Sequence, residues 1–340
     1  MNVALASARR AVARARVVTA WLGLLLVIVA AASLALGDVA IAPADVLRAL
    51  VGAGSPYDSL VVREFRLPRV LTALAVGGAL GASGAIFQSL TRNPLGSPDI
   101  VGFTAGSAMG AVVALIVFGG GTFAVASGAL VGGLLCALTV LALAARGGVS
   151  TGPRFVLIGI GVAAMLTAAN GYLITRASLG DATSAQAWIV GSLNARGWET
   201  AVPLLLALAV LLPCAVLGRR ALLVMELGDD AAGALGIDIP RVRTALVVCG
   251  IALCAAGTAA AGPVAFVALA APQVARRLLP SAGAPVVTGA LVGAVLLAAA
   301  DLAAQRVLAP VVLPVGVVTG LVGGVYLGWL LWNSRRKGGV

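Results

Sequence analysis

The stretch RVRTALVVCGIALCAAGTAAAGPVAFVALAAPQVARR, residues 241–277, decides how this chain is built. Between its arginine pairs (Arg241 and Arg243, then Arg276 and Arg277) lies an apolar run of 32 residues, 244–275. As a single helix that run would be about 48 Å long, against a hydrocarbon core of roughly 30 Å. Both arginine pairs prefer the cytoplasmic side of a membrane, and two ends on one side require an even number of crossings. Ala261-Gly262-Pro263 is the natural break, because proline interrupts a helix and glycine permits a turn. The stretch therefore reads as a hairpin of two short helices, roughly 244–262 and 263–275.

Apolar runs of span length recur on either side, at roughly 17–36, 70–90, 100–118, 122–145, 155–175, 200–218, 285–304 and 312–332. With the hairpin they make about ten crossings. They fill most of the 340 residues, of which 61% are hydrophobic and 10% charged, at a mean hydropathy of +1.10. That balance is foreign to a soluble domain of this size. The expected architecture is all-α: one polytopic transmembrane domain over 1–340, with a basic cytoplasmic N-terminus (1–16) and a basic cytoplasmic tail (333–340). Sixteen of the 23 Lys and Arg residues lie on the inner side of this topology and seven on the outer, the bias that sets orientation in membranes. The formal charge of +11 is therefore topological. A lipid bilayer is the expected environment, and nucleic acid is not an expected partner. The first run, about 20 residues, is long for the 7–15 of a signal-peptide core and reads as a retained span.

The four cysteines (Cys136, Cys214, Cys249 and Cys254) sit inside apolar runs and read as small buried hydrophobes. With no histidine in the chain, His-dependent catalysis is excluded and a transition-metal centre is disfavoured. The only lysine is Lys337, in the tail, so the chain has no Walker A loop. If ATP drives this protein, another chain binds it. Carboxylates within the spans are scarce, Asp99 and Asp301 being the two near span ends. Proton-coupled carriers keep more ionisable groups along their path, whereas sodium sites built from backbone carbonyls stay open. Two rows of glycine at fourth positions, Gly102–Gly106–Gly110 and Gly316–Gly320–Gly324–Gly328, allow close helix approach. They serve packing within the chain, or else a subunit interface or a smooth pore wall.

Before the hairpin, ELGDDAAGALGIDIPRVR (Glu226 to Arg243) holds four of the twelve acidic side chains. Leu227, Ala231, Ala234 and Leu235 share one helical face. Asp229 and Asp230 fall in a first turn, where carboxylates suit the helix dipole. Gly236 is a C-terminal stop, and Asp238-Ile239-Pro240 starts a second short helix. The expectation is a helix–turn–helix along the membrane surface, with Ala231 and Gly233 small enough to enter a partner's groove. On the other side, Pro43–Leu50 reads as a small amphipathic helix with Asp45 and Arg48 on its wet face. The segment 176–199 is too polar to span and is expected to carry a short surface helix.

The segment RLPRVLTALAVGGALGASGAIFQSLTRNPLGSPDIVG at 66–102 resembles the permeases of bacterial ABC importers for iron–siderophore complexes, haem and vitamin B12, the type II importers. So do STGPRFVLIGIG at 150–161, WIVGS at 188–192, ELGDDAAGALG at 226–236, GPVAFVALAAPQVARRL at 262–278, AD at 300–301 and LPVGVVTG at 313–320. APQVARRL and PVGVVTGLVGGVYLGWLL are most similar to ferric-siderophore subunits that work as heterodimers. The resemblance implies ten helices per subunit, a second permease subunit, two cytoplasmic ATPases that hold ATP and Mg, and an extracytoplasmic binding protein. It implies no cofactor, metal or catalytic residue in this chain. ATPase coupling falls to Glu226, Leu227, Gly228, Asp229, Asp230, Ala231, Gly233, Leu235, Gly236 and Arg241. Arg66 and Arg69 would face outward to dock the binding protein, with Arg306 as a further docking charge. Asn93, Pro94 and Leu95, with Ser150, Thr151 and Gly152, match loops that close the cytoplasmic mouth. The chain departs from the family where Gln305 replaces a frequent arginine, Val312 an acidic residue, and Gln273 the histidine of a Pro-His pair. A ferric siderophore is the expected cargo; haem or cobalamin on the same machinery, a gradient-driven secondary transporter and a structural membrane protein are the alternatives.

Overall fold

The computed structural model describes residues 2–37, 39–98, 102–145, 153–280 and 283–337, and every regular element among them is helical. In chain order these are α1 (Asn2–Ala35), α2 (Pro43–Leu50), α3 (Pro56–Leu60), α4 (Leu67–Thr91), α5 (Phe103–Val112), α6 (Thr122–Ala145), α7 (Pro153–Arg176) and α8 (Leu179–Val190). Next come α9 (Trp198–Leu217), α10 (Arg219–Glu226), α11 (Asp229–Ala234), α12 (Ile239–Ala261), α13 (Val267–Leu278), α14 (Val286–Arg306) and α15 (Val315–Lys337). A π-helical stretch, Val61–Arg66, joins α3 to α4, and another, Val113–Val117, extends α5. Each of the ten expected spans coincides with one of these helices. Seven are long and apolar enough to cross a membrane alone.

The hairpin breaks where the sequence places it, but its arms are unequal. Helix α12 has 23 residues and α13 only 12, or about 34 Å and 18 Å at the α-helical rise. The backbone leaves α12 at Gly262 (φ +74°) and enters α13 at Phe266 (φ +67°), so 263–265 crosses part of the depth without helical hydrogen bonds. Irregular backbone survives at membrane depth only inside protein. Accordingly Gly262, Pro263 and Val264 are buried, and the Ala261 carbonyl accepts from the Ser192 amide at 2.8 Å. The expected pair of short helices is thus one full crossing and one short return.

Helix α4 is the axis of the bundle, with nearly all its residues from Pro68 to Leu90 buried. Between membrane helices, close van der Waals packing replaces the hydrophobic drive available in water, and α4 is rich in residues that permit it. A Cβ on Gly77 or Gly81 would collide with the carbonyls of Gly293 and Gly289 in α14, and one on Gly84 with that of Ala268 in α13. Ser83 donates to the Gly250 carbonyl of α12 at 2.7 Å.

Of the two glycine rows singled out in the sequence, the first packs within the chain: Gly106 and Gly110 meet Gly128 and Gly132 of α6 backbone to backbone. The second row divides. Gly316 lies on the Val190 carbonyl, but Gly320, Gly324 and Gly328 have nothing within 4 Å; the glycine that actually packs α15 is Gly323, against the Phe266 ring. Helix α2 forms as expected, its Asp45–Arg48 pair exposed at 3.0 Å. Helix α8 forms within 176–199 as the expected short surface helix, with Ala185 its one buried residue. Its C-terminal Gly191 is wedged against Pro263, and its carbonyl accepts from the Gly316 amide.

Candidate functional site

The polar segment between α9 and α12 folds as α10 and α11 joined through Leu227 and Gly228. Helix α10 buries Leu222 and Met225. It stops because Gly228 takes φ +120°, a conformation open to glycine and costly for other residues. This bend separates Leu227 from the face that it would share with Ala231, Ala234 and Leu235 in an unbroken helix. Helix α11 then runs six residues with Asp229 and Asp230 in its first turn. It ends in a Schellman arrangement: Ile237 N–H donates to the Ala232 carbonyl (3.1 Å) and Gly236 N–H to that of Gly233 (3.0 Å), with Gly236 at φ +81°. Asp238 caps α12, accepting from Arg241 N–H at 3.3 Å and pairing with its guanidinium at 2.7 Å. No second short helix forms there; the capped helix is the long α12, and the helix–turn–helix is α10–α11.

Two of the four carboxylates of this knuckle, Glu226 and the exposed Asp229, are bonded to arginines of the chain itself. Asp229 pairs with Arg243 of α12 at 2.8 Å and with Arg92, just beyond α4, at 2.5 Å. Hydrogen bonding from Arg243, helped by the charge of Arg92, holds the Asp229 carboxyl below its ordinary value. Glu226 pairs with Arg276 of α13 at 2.8 Å, and the same guanidinium reaches Ser89 Oγ in α4. Arg243 is only 8% exposed, so Asp229 is what balances a nearly buried charge. Facing away from the bundle are Leu227 (71% exposed), Leu235 (65%), Asp230, Gly233 and Arg241. Gly228 and Ala231 are half-buried, and Ala232, not Ala231, points into the fold.

Beside the knuckle, Arg92 adopts a left-handed backbone (φ +49°) and donates from Nε to the Met225 carbonyl at 3.2 Å. The loop Asn93-Pro94-Leu95 comes next. Asn93 Oδ1 accepts from Leu95 N–H at 2.9 Å, and the Pro94 carbonyl accepts from Gln273 Nε2 of α13 at 2.7 Å. Gln273, which stands where the family resemblance has histidine, thus fastens this loop. The other expected gate residues, Ser150, Thr151 and Gly152, lie outside the described residues, as does Asp99.

On the opposite face the expected docking arginines are turned to the chain itself. Arg66 donates to the carbonyls of Leu34, Ala35 and Val39 and so caps the end of α1. Arg69 grips Asp301 with two hydrogen bonds, 3.0 and 2.8 Å, and the aspartate is 3% exposed. Carbonyls at a helix end and a buried carboxylate both require a donor, and these half-buried guanidinium groups supply it. Gln305 donates to Asp301 at 2.8 Å, so this departure supplies a neutral third donor beside one matched ion pair. Arg306 is half-buried, its Nε without a hydrogen-bond acceptor among the described residues. Arg66, Arg69 and Gln305 share a cavity of about 300 Å³ with Tyr57, Phe65 and Val312.

One polar site escaped the sequence reading. Thr104, Thr167, Asn170 and Gln186 line a cavity of about 450 Å³ bordered by Pro263. Asn170 is 6% exposed, and its Oδ1 has no hydrogen-bond partner among the described residues. An amide in the middle of the apolar run of α7 was the available signal. Among the described residues no group of three or more His, Cys, Asp or Glu side chains could hold a metal ion.

The sequence matches the FecCD transport family over residues 25–333. It is 47% identical over 301 residues to the ferric enterobactin transport system permease protein of Escherichia coli K12, covering 88% of this chain and 91% of that one. It is 37% identical over 321 residues to the iron(3+)-hydroxamate import system permease protein of Bacillus subtilis 168, covering 92% and 95%. A solved structure described as an inward-facing conformation of a metal-chelate type ABC transporter superposes with a TM-score of 0.81 at 28% identity, over 94% of this chain and 99% of the other.

Proposed function

This chain belongs to the FecCD transport family, and from that premise we propose that it is the multi-pass permease subunit of an ATP-binding-cassette importer that carries a ferric-siderophore complex across the cytoplasmic membrane. The observation that carries this reading is the α10–α11 knuckle. It presents exposed Leu227 and Leu235 around the small Gly233, while Glu226 and Asp229 are bonded to arginines of the chain itself. Apolar side chains exposed on a rigidly backed surface mark a protein contact. In a chain without a Walker lysine, that contact is the coupling surface for two ATPase subunits, which bind the ATP and Mg. Leu227, Gly228, Asp230, Ala231, Gly233, Leu235, Gly236 and Arg241 meet the ATPase, and Glu226 and Asp229 hold the surface in place.

The whole chain, 1–340, acts as one transmembrane domain and performs no covalent chemistry. A second, homologous permease subunit completes the path. The unpacked faces of α7 and of α15, with Gly320, Gly324 and Gly328 open, support such a pairing. Asn93, Pro94 and Leu95, with Ser150, Thr151 and Gly152, close its cytoplasmic mouth. An extracytoplasmic binding protein delivers the chelate; Arg306 and the aromatic-rimmed cavity beside Arg69 are its contact on this chain. ATP binding and hydrolysis shift the pair between inward- and outward-open states because each nucleotide state favours one arrangement.

Purification of the permease with its ATPases and addition of the binding protein test this reading. ATP hydrolysis is expected to rise when the binding protein carries ferric enterobactin or another ferric siderophore. Failure of any ATPase to co-purify, or uptake that depends on a proton or sodium gradient instead, would overturn it.

A further inference from the structure

The ion pairs of the knuckle end on two elements at once. Asp229 reaches Arg92, the residue immediately before Asn93-Pro94-Leu95, and Arg92 Nε also holds the Met225 carbonyl of α10. Glu226 reaches Arg276 of α13, one turn from Gln273, whose amide holds the Pro94 carbonyl. The loop is therefore suspended between two arms, each ending on a carboxylate at one side of the Leu227-Gly228 joint. Arg92 is also one of three non-glycine residues with positive φ among those described, a backbone state that needs outside support in a bulky residue. Its two side-chain bonds to the knuckle supply that support.

Resting on the importer reading, we propose that Asp229 and Glu226 are positioning residues that latch the ATPase-facing knuckle to the loop at the cytoplasmic mouth. Displacement of α10–α11 by the ATPase pulls on Arg92 through Asp229 and on α13 through Glu226, and both arms move residues 93–95. Arg243, fixed in α12, brackets Asp229 from the other side at 2.8 Å, so the carboxylate transmits rotation of the knuckle about α12 instead of swinging free. The latch acts by geometry and involves no bond making or breaking beyond hydrogen bonds.

The test uses the complete importer in proteoliposomes, with radiolabelled ferric siderophore uptake, ATP hydrolysis and melting temperature measured on the same preparations. Asp229→Asn and Glu226→Gln keep the shape and remove the charge; Asp229→Glu restores it. Uptake per ATP hydrolysed is expected to fall about tenfold in both amides, with the ATPases still co-purifying, and to recover in Asp229→Glu. Unchanged uptake per ATP in both amides would overturn the latch while leaving the importer reading intact. So would a proportional loss of uptake and hydrolysis with a lowered melting temperature, which marks a merely structural pair; should Asp229→Asn fail to assemble, Arg92→Lys against Arg92→Met gives the same comparison from the other end. If the unaltered complex itself shows no ATP-driven uptake, the importer reading fails instead.

Discussion

Asp301 shows what a single charge inside the bundle requires. It is 3% exposed and accepts from Arg69 and Gln305. Truncating one partner of such a pair strands the other charge, at a cost of about 3–5 kcal/mol, whereas apolar replacement of both is far milder. Arg69→Met and Asp301→Leu should therefore each lower the melting temperature in detergent more than the double variant does; additive losses would contradict this. Asp229 makes a different prediction, because it faces water and its pKa is lowered. The stability it contributes is fully present above the ordinary carboxylate pKa of about 3.9 and is lost as pH falls through the lowered value. The gap in melting temperature between the unaltered protein and Asp229→Asn should hold from pH 7 to about 4 and close below. These roles were hard to read in advance. Sequence marks Arg66, Arg69, Glu226 and Asp229 as charges at span ends, but not the neighbours 14 to 232 positions away that claim them.

Among the elements, backbone contact sets the sharpest constraint. Gly81 has no room for a Cβ beneath the Gly289 carbonyl, whereas Gly324 has nothing within 4 Å. Overpacking a tight interface costs about 1–3 kcal/mol or more. Gly81→Leu should thus lower expression and melting temperature sharply, while Gly324→Leu should leave the isolated subunit's melting temperature unchanged and weaken its association with the second permease. Equal effects of the two would contradict the assignment of α15 to a subunit interface. The break of the 32-residue run was legible because Gly262-Pro263 is a local signal. The shortness of α13 was not, since the start of the break, 261–263, is held by Gly191 and Ser192 from a distant part of the chain. Likewise, Gly236 declares the end of α11 locally, but the joint at Gly228 became visible only through its φ of +120°. The pairing of Gly77 and Gly81 with Gly293 and Gly289 was missed because no local pattern links α4 to α14.

At the scale of the molecule, apolar length and arginine placement carried the reading of ten helices with both termini on one side. These are bulk properties that the bilayer imposes on any chain. The cargo is different, because no local pattern of residues in a single subunit marks a chelate. In the proposed function, selection by chemistry rests with the outer binding protein. The deciding measurement is therefore energetic: uptake of radiolabelled ferric enterobactin into proteoliposomes holding both permeases, the ATPases and the binding protein, with ATP inside or outside. Uptake that needs ATP on the side of the knuckle, and persists when proton and sodium gradients are collapsed, is expected. Uptake without ATP, driven by either gradient, would contradict it.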